Sequence, residues 1–274
     1  MYLDFYGFRE NPFNVTSDPD FLYLSNTHRE ALSHLVYGIN NRKGFIEITG
    51  EIGSGKTTLC KALISSLDDS VKLSLVFNSS LPNTQLLEAI ADDFGIKPER
   101  RAKVAFIKAI NSFLLDQLQN DRNCVLIIDE AQNLKNSTLE TIRMLSNLET
   151  NKEKLLQIVL VGQPQLRDKL NLPSMLQLRQ RVSVRFHLMP LEKTETLSYI
   201  RHRLNIAGGN DKLVFSDKAA DRIFLYSEGI PRLVNLVCDK ALLFGFVKET
   251  MFIDEGLVEQ SIKEIEGTYP VMAV

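Results

Sequence analysis

Cysteine and histidine, the residue types typical of metal-binding and disulfide-rich proteins, are scarce in this sequence. It has only three cysteines and four histidines in 274 residues. Cys60, Cys124 and Cys238 are far apart and have neither metal-ligand nor Cys-x-x-Cys spacing, so we interpret them as buried, reduced thiols of an intracellular protein. The histidines share no spacing with carboxylates that would indicate a metal site or a catalytic triad.

Long apolar runs and a strong charge imbalance are also absent. No apolar run approaches the roughly 18 residues of a membrane span, and the N-terminus lacks the basic and apolar regions of a signal peptide. Lysine and arginine total 32 against 34 aspartates and glutamates, which argues against a protein that coats nucleic acid through bulk charge. We therefore expect a soluble cytoplasmic protein, and its 44% of apolar residues is ample for a sizeable core.

Short apolar runs alternate with helical patterns over the first two thirds of the chain. The five runs are residues 45–48, 73–77, 125–128, 158–161 and 182–188. Short buried strands separated by helices predict a largely parallel sheet that is covered on both faces. After Pro190 only helical patterns follow. We predict an α/β core over residues 1–191 and a helical unit over residues 192–274. The aromatic N-terminal segment is expected to dock on the core, although stacking on an adenine base is the alternative.

The strongest functional signal is a segment that fits G-x-x-x-x-G-K-T without deviation. It follows a predicted strand and opens a predicted helix, and this context separates a phosphate-binding loop from a chance glycine-rich turn. In such a loop, backbone N–H groups surround the phosphates, Lys56 reaches the β- and γ-phosphates, and the Thr57 hydroxyl is a ligand for Mg²⁺. The predicted nucleotide-binding residues are Gly50, Glu51, Ile52, Gly53, Ser54, Gly55, Lys56, Thr57 and Thr58.

A second signal is the apolar run that ends in Asp129 and Glu130. Alone it is weak, because acidic residues at strand ends are common. Together with a phosphate loop it predicts the second half of an ATP or GTP site, in which Asp129 holds Mg²⁺ through water and Glu130 polarises the attacking water. Glu130 favours a hydrolase over a nucleotide switch that does not hydrolyse.

The order of these motifs resembles that of AAA+ ATPases from Tyr2 to about residue 265. Gln163, the arginines before the last predicted strand, and Gly229-Ile230-Pro231-Arg232 complete the order. Within that class the sequence is similar to the general secretion pathway protein A (ExeA-like) family of secretion, pilus and exopolysaccharide assembly ATPases, a branch related to transposition regulators. The segments that carry this closer resemblance are Phe5-Tyr6-Gly7-Phe8, Asn11-Pro12-Phe13, Asp18-Pro19-Asp20-Phe21, Glu30-Ala31-Leu32, residues 51–58, Asp129-Glu130-Ala131-Gln132-Asn133-Leu134 and Gly162-Gln163-Pro164-Gln165-Leu166.

The resemblance implies a P-loop core with a five-stranded parallel sheet of order 5-1-4-3-2, a C-terminal helical lid, and ATP with Mg²⁺ between them at a subunit boundary. Gln163 matches the first sensor, a polar side chain near the γ-phosphate, and Arg232 matches the second sensor in the lid. Asn78 matches the polar residue that holds the catalytic glutamate until a partner binds. A surface arginine at a helix start and a strand-ending turn cap are the respective alternatives for Arg232 and Asn78.

The resemblance also gives the arginines before the last strand a role in a neighbouring subunit. In this region AAA+ proteins place an arginine finger, which neutralises charge on the γ-phosphoryl group of the adjacent site. We prefer Arg181, which directly precedes the strand, over Arg179, and interpret Arg185 as solvated surface. Structural ion pairs at the mouth of the strand are the alternative for Arg179 and Arg181.

The function implied is that of an oligomeric, Mg²⁺-dependent ATPase that assembles or remodels a secretion, pilus or exopolysaccharide-export machine. Larger family members continue into a transmembrane helix and a peptidoglycan-binding domain, which the 274 residues do not contain. We therefore expect a partner to recruit the protein to the inner face of the membrane. The alternative is a DNA-associated regulator that resembles the transposition ATPases.

Overall fold

The computed structural model describes residues 2–77, 81–209 and 212–268, which form two compact units. The α/β unit consists of Thr27–Glu51 and Leu59–Leu188. The helical unit consists of the segment that ends at Asn26, of Ile52–Thr58, and of the chain from Met189 onward. The helices are α1 Tyr2–Tyr6, α2 Asn26–Asn40, α3 Lys56–Ser66, α4 Asn83–Asp93, α5 Lys103–Gln119, α6 Asn136–Leu145, α7 Pro164–Leu170, α8 Leu176–Arg179, α9 Lys193–Ile206, α10 Asp217–Ser227, α11 Pro231–Val247 and α12 Glu255–Ile265. The strands are β1 Phe45–Gly50, β2 Val71–Val76, β3 Asn123–Ile128, β4 Gln157–Gly162, β5 Val182–Leu188, β6 Val214–Phe215 and β7 Phe252–Ile253.

The α/β unit contains a parallel sheet in the order β2-β3-β4-β1-β5. This order confirms the predicted arrangement 5-1-4-3-2. The inner strands β1 and β4 are buried along their whole length, whereas the edge strand β5 alternates between buried and more exposed residues. The difference follows from position, because helices cover both faces of an inner parallel strand.

Side chains that alternate along the strands supply two separate cores. Leu126 and Ile158 belong to a cluster on one face with apolar residues of α4, α5 and α6. Val125 and Val159, each one residue away, belong to the cluster on the other face with residues of α2 and α3. The two-sided burial explains why the strands read as continuous apolar runs in the sequence.

The N-terminal segment contributes its aromatic side chains to the helical unit. Tyr6, Phe8, Phe13 and Phe21 are buried in the same apolar cluster as residues of α9, α10, α11 and α12. This placement differs from the predicted division, in which residues 1–191 form the α/β core. Docking through apolar side chains was expected, but a segment's composition does not indicate which apolar surface it covers.

Arg203 of α9 forms hydrogen bonds with the N-terminal segment within the helical unit. Its Nε donates to the Pro12 carbonyl at 2.5 Å and its Nη2 donates to the Asn14 carbonyl at 3.2 Å. The guanidinium also lies over the Phe21 ring, 4.6 Å from the ring centre. Backbone carbonyls and an aromatic face thus stabilise the buried cation.

The prediction that no strand follows Pro190 was wrong. β6 and β7 form a two-stranded parallel sheet in which Val214 pairs with Phe252 and Phe215 pairs with Ile253. Two-residue strands are too short to show an alternating pattern, so sequence periodicity cannot reveal them.

The structure also bears on the three cysteines and on membrane-spanning helices. Cys60, Cys124 and Cys238 are buried and unpaired, in agreement with the interpretation as thiols. In the stretches 2–77, 81–209 and 212–268, no helix has both the length and the apolar character needed to cross a membrane.

Candidate functional site

The predicted phosphate loop connects β1 to α3. Gly50 is the last residue of β1, and Lys56, Thr57 and Thr58 are the first three residues of α3. Between them, Gly53 and Gly55 have φ angles of +81° and +96°, a backbone region that residues with a Cβ rarely adopt. Two left-handed glycines that lead into a helix N-terminus form the turn that presents backbone N–H groups to an anion, so the loop fits a phosphate group.

The exposure of the loop residues differs sharply along the turn. Glu51 and Ile52 are exposed, and Ile52 keeps 57% of its surface accessible. Ser54 and Lys56 are buried, with Lys56 only 6% exposed. The charged Lys56 side chain is therefore buried while the apolar Ile52 side chain is exposed. This is the reverse of the arrangement in an apolar core, and it suits the binding of a charged ligand.

Asp129 and Glu130 directly follow β3. Asp129 is 3% exposed, and its Oδ1 accepts a hydrogen bond from the Glu130 backbone N–H at 2.8 Å. Glu130 has φ 52° and ψ 35°, a left-handed conformation that costs a non-glycine residue about 1–2 kcal/mol. Carboxylate and hydroxyl oxygens are hard ligands of the kind that Mg²⁺ prefers, so the side-chain chemistry of Asp129, and separately that of Thr57, suits the predicted metal-binding role.

Gln163 lies close to Glu130 at the carboxyl edge of the sheet. Gln163 directly follows β4, and its Nε2 donates to Glu130 Oε2 at 3.2 Å. Thr49 pairs with Gly162 between β1 and β4, so Gly50 and Gln163 leave neighbouring strands at the same edge. The structure thus brings Asp129, Glu130 and Gln163 together at the edge from which the phosphate loop begins.

Gln132 contacts both Glu130 and Gln163, although in the sequence it stands out only as part of the family resemblance. Its Nε2 donates to Glu130 Oε2 at 2.5 Å, and its Oε1 accepts from the Gln163 backbone N–H at 3.1 Å. Its position two residues after Glu130, the predicted catalytic residue, was the available signal. The contact itself depends on the short 3₁₀ turn Ala131–Asn133, which no pattern in the sequence predicts.

Within the helical unit, Arg232 contacts the phosphate loop through its backbone. The Arg232 N–H donates to the Gly53 carbonyl at 3.2 Å. Local geometry fixes this arginine: Gly229 has φ +75°, a Cβ there would lie 2.0 Å from the Leu191 carbonyl oxygen, and Pro231 begins α11. The Gly-x-Pro-Arg segment therefore has a structural reason for its glycine and its proline.

The Gly53–Arg232 contact predicts a large effect for Gly53→Ala. A Cβ on Gly53 would lie 2.5 Å from the Arg232 Cβ, in addition to the cost of φ +81°. Gly95→Ala is a matched control, because Gly95 has φ +72° but no atom within 4 Å of the added Cβ. We expect Gly95→Ala to lower the free energy of unfolding by about 1 kcal/mol and Gly53→Ala by about 3 kcal/mol, as measured by denaturant unfolding. If both variants lowered the free energy of unfolding equally, the loop would have moved to accommodate the added methyl group.

The arginines of the candidate finger lie at the other end of the sheet. Arg179 ends α8, and Arg181, half-buried, directly precedes β5. β5 has seven residues and is parallel to the other strands, so Arg181 and Glu130 lie at opposite edges, about 20 Å apart along the strand direction. The structure therefore does not bring Arg181 to the acidic residues of its own chain.

Arg185 is exposed, as expected for a surface residue, but it also makes contacts that the sequence did not predict. Its Nε lies 3.3 Å from Oε2 of the buried Glu47 on β1, and its Nη2 donates to the Arg179 carbonyl at 2.7 Å. Burial raises the pKa of the Glu47 carboxyl above its usual value, while the positive charges of Arg185 and Arg167 act in the opposite direction. The register that pairs Glu47 with Arg185 depends on residues about 140 positions apart, so the local strand pattern could not reveal it. Asn78 lies outside the described residues.

The comparisons with known proteins agree with the fold and the loop. The AAA domain family matches residues 39–170, which include the phosphate loop, Asp129, Glu130 and Gln163. The chain belongs to the AAA+ class of P-loop ATPases. It is 40% identical over 97% of its length to general secretion pathway protein A of Aeromonas hydrophila. It spans 49% of the length of that relative.

Solved structures with low sequence identity share the fold. The Aeropyrum pernix ORC2 protein, solved in ADPNP–ADP complexes, is 17% identical with a TM-score of 0.69, over 96% of this chain and 73% of that one. Cdc6p from Pyrobaculum aerophilum is 20% identical with a TM-score of 0.67, over 90% of this chain and 70% of that one. At these identities the likeness establishes the AAA+ architecture alone.

Proposed function

We propose that the chain binds ATP with Mg²⁺ and hydrolyses the ATP to ADP and phosphate. The observation that carries the proposal is the pairing of Glu130 with Gln163 at the edge of the sheet where Gly50 leads into the phosphate loop. A carboxylate beside a buried aspartate, at the origin of a loop that fits a phosphate, supports nucleotide hydrolysis rather than nucleotide binding alone.

Each residue has a role in the proposed reaction. Lys56 and the backbone N–H groups of residues 50–58 would hold the phosphates, while Thr57 and Asp129 would hold Mg²⁺, which would neutralise phosphate charge. Glu130 accepts a proton from water as the water oxygen bonds to the γ-phosphorus and the bond to the leaving ADP oxygen breaks. Gln163 orients the reacting groups as the first sensor.

Two further roles are carried over from the family. Arg232 is the proposed second sensor, and its backbone contact with Gly53 supports a connection between α11 and the phosphate loop. Asn78 is proposed to hold Glu130 in an inactive position until a partner binds. That role for Asn78 stays a prediction.

The proposed cellular role is that of a homo-oligomeric assembly or remodelling ATPase. The 40% identity to a protein named for the general secretion pathway supports a secretion, pilus or exopolysaccharide-export system. The partners would then be protein components of an envelope machine, one of which recruits the ATPase from the cytoplasm to the inner face of the membrane. The placement of Arg181 away from Glu130 of its own chain supports sites that are shared between subunits.

Phosphate release from ATP tests the proposed reaction. We expect the purified chain to release phosphate with Mg²⁺ but not with excess EDTA, and Lys56→Ala to lower the rate at least about 100-fold. Lys108→Ala is the control, because Lys108 is an exposed lysine of α5 and should leave the rate unchanged. Equal rates for the wild type and Lys56→Ala would remove the phosphate loop from the activity and contradict the proposal.

The DNA-associated alternative is tested separately. A transposition-type regulator would retain duplex DNA at low salt in an ATP-stimulated manner, and the retention would weaken steeply as salt is added. The net charge of −2 weighs against this function. Absence of ATP-stimulated retention would exclude the alternative and leave the ATPase proposal intact.

A further inference from the structure

Gln132 joins the proposed catalytic base to the proposed sensor. Glu130 Oε2 accepts from Gln132 Nε2 at 2.5 Å and from Gln163 Nε2 at 3.2 Å. Gln132 Oε1 in turn accepts from the Gln163 backbone N–H at 3.1 Å. Three residues on two strand ends thus form a closed set of hydrogen bonds, in which Gln132 uses both ends of its amide.

The position of Gln132 is fixed by its surroundings. Lys169 of α7 donates through Nζ to the carbonyl oxygens of Gln132 and Leu134, at 2.5 and 2.8 Å. The close approach of the Gln132 side chain to β4 requires Gly162, because a Cβ there would lie 2.7 Å from Gln132 Oε1. The backbone of Gln132 is therefore held by Lys169, and Gly162 leaves the space that its amide occupies beside β4.

An orienting partner matters more for Glu130 than for an ordinary glutamate. Its backbone is in the left-handed region, so the local conformation that aims its side chain is a strained one. A base that must meet a water molecule needs its carboxylate fixed, since a displacement of about 1 Å can cost a hundredfold in rate. Two amide donors on a single oxygen of Glu130 supply that constraint.

We propose that Gln132 is a positioning residue for hydrolysis, which holds the Glu130 carboxylate in register with Gln163. The inference rests on the proposed ATPase function. Gln132 acts through Glu130 and does not contribute to nucleotide affinity. Its loss lowers kcat and leaves both KM and the Kd for ATP unchanged.

Gln132→Glu separates positioning from structural support. The glutamate keeps an oxygen for the Gln163 N–H but replaces the amide donor to Glu130 with a second carboxylate. Gln132→Leu removes both bonds at similar size. We expect each variant to lower kcat about 10- to 100-fold with a KM within about twofold of the wild type. Gln165→Leu, at an exposed glutamine of α7, is the control and should retain full activity.

A double-mutant cycle with Glu130→Gln completes the test. If Gln132 acts through Glu130, then adding Gln132→Glu to Glu130→Gln lowers the single-turnover rate no further. Wild-type kcat in Gln132→Glu, or a further additive loss in the double variant, would overturn the inference. A wild-type chain without Mg²⁺-dependent hydrolysis would instead overturn the proposed function itself, so the two failures are distinct.

Discussion

Arg181→Ala is expected to lower the ATP turnover of the assembled protein about 1,000-fold, the lower end of the range for an arginine finger. The guanidinium presents a rigid fork of donors to phosphate oxygens, so Arg181→Lys is expected to restore little of the rate. The Kd of each subunit for ATP should not change, because Arg181 lies at the opposite edge of the sheet from Glu130 in its own chain. Turnover and nucleotide affinity are measured on the same preparations.

Mixed oligomers decide whether Arg181 acts in a neighbouring subunit. Arg181→Ala subunits keep the phosphate loop and Lys56→Ala subunits keep the finger, so some interfaces in a mixture contain both intact halves. We expect activity to recover on mixing, and Arg179→Ala mixed with Lys56→Ala tests the other candidate. Native mass spectrometry confirms that the oligomers are mixed. If ATP turnover then does not recover, Arg181 is an ordinary surface residue and not an arginine finger.

Glu130→Gln is expected to lower phosphate release about 100- to 10,000-fold, the range for loss of a general base. The Kd for ATP should stay at the wild-type value, so the variant accumulates with ATP bound. The fold should tolerate the change because a glutamine oxygen can still accept from the amides of Gln132 and Gln163. Phosphate release at saturating ATP and titration with a fluorescent nucleotide provide the two measurements.

A matched exchange of another glutamate controls for loss of charge. Glu140 of α6 is exposed and its carboxylate pairs with Arg143 one turn later, so Glu140→Gln should leave turnover unchanged. If Glu130→Gln releases phosphate at the wild-type rate, Glu130 has no part in the mechanism. The inference about Gln132 would then have no catalytic base to act on.

Local patterns predicted the elements of the site well and the contacts between them poorly. The run that ends in Asp129 predicted both the strand and its acidic end, because a buried parallel strand is continuously apolar. The sheet order came from the family resemblance and not from the pattern itself. The Gln132 contact and the Glu47–Arg185 pair depend on turn geometry and on strand register, which join residues that are separate in the sequence.

The N-terminal segment illustrates the same limit for domains. Its aromatic residues predicted burial, and burial is what the structure has. The contacts that tie them to the helical unit include those of Arg203, which donates to the carbonyls of Pro12 and Asn14 about 190 residues away. Every residue has a backbone carbonyl, so the identities of Pro12 and Asn14 do not indicate that they accept these hydrogen bonds.

β1 lies between β4 and β5 in the sheet, so it contacts both the strand that ends before Gln163 and the strand that follows Arg181. On one side its Thr49 pairs with Gly162, directly before Gln163, and on the other its Glu47 contacts Arg185, which holds the carbonyl of Arg179. Inserting one residue between Glu47 and Gly50 would turn the side chains beyond it to the opposite face of the sheet. Glu47 would keep its contact with Arg185 while Thr49 would no longer match Gly162, so we expect this insertion to be more harmful than substitutions at either end of β1.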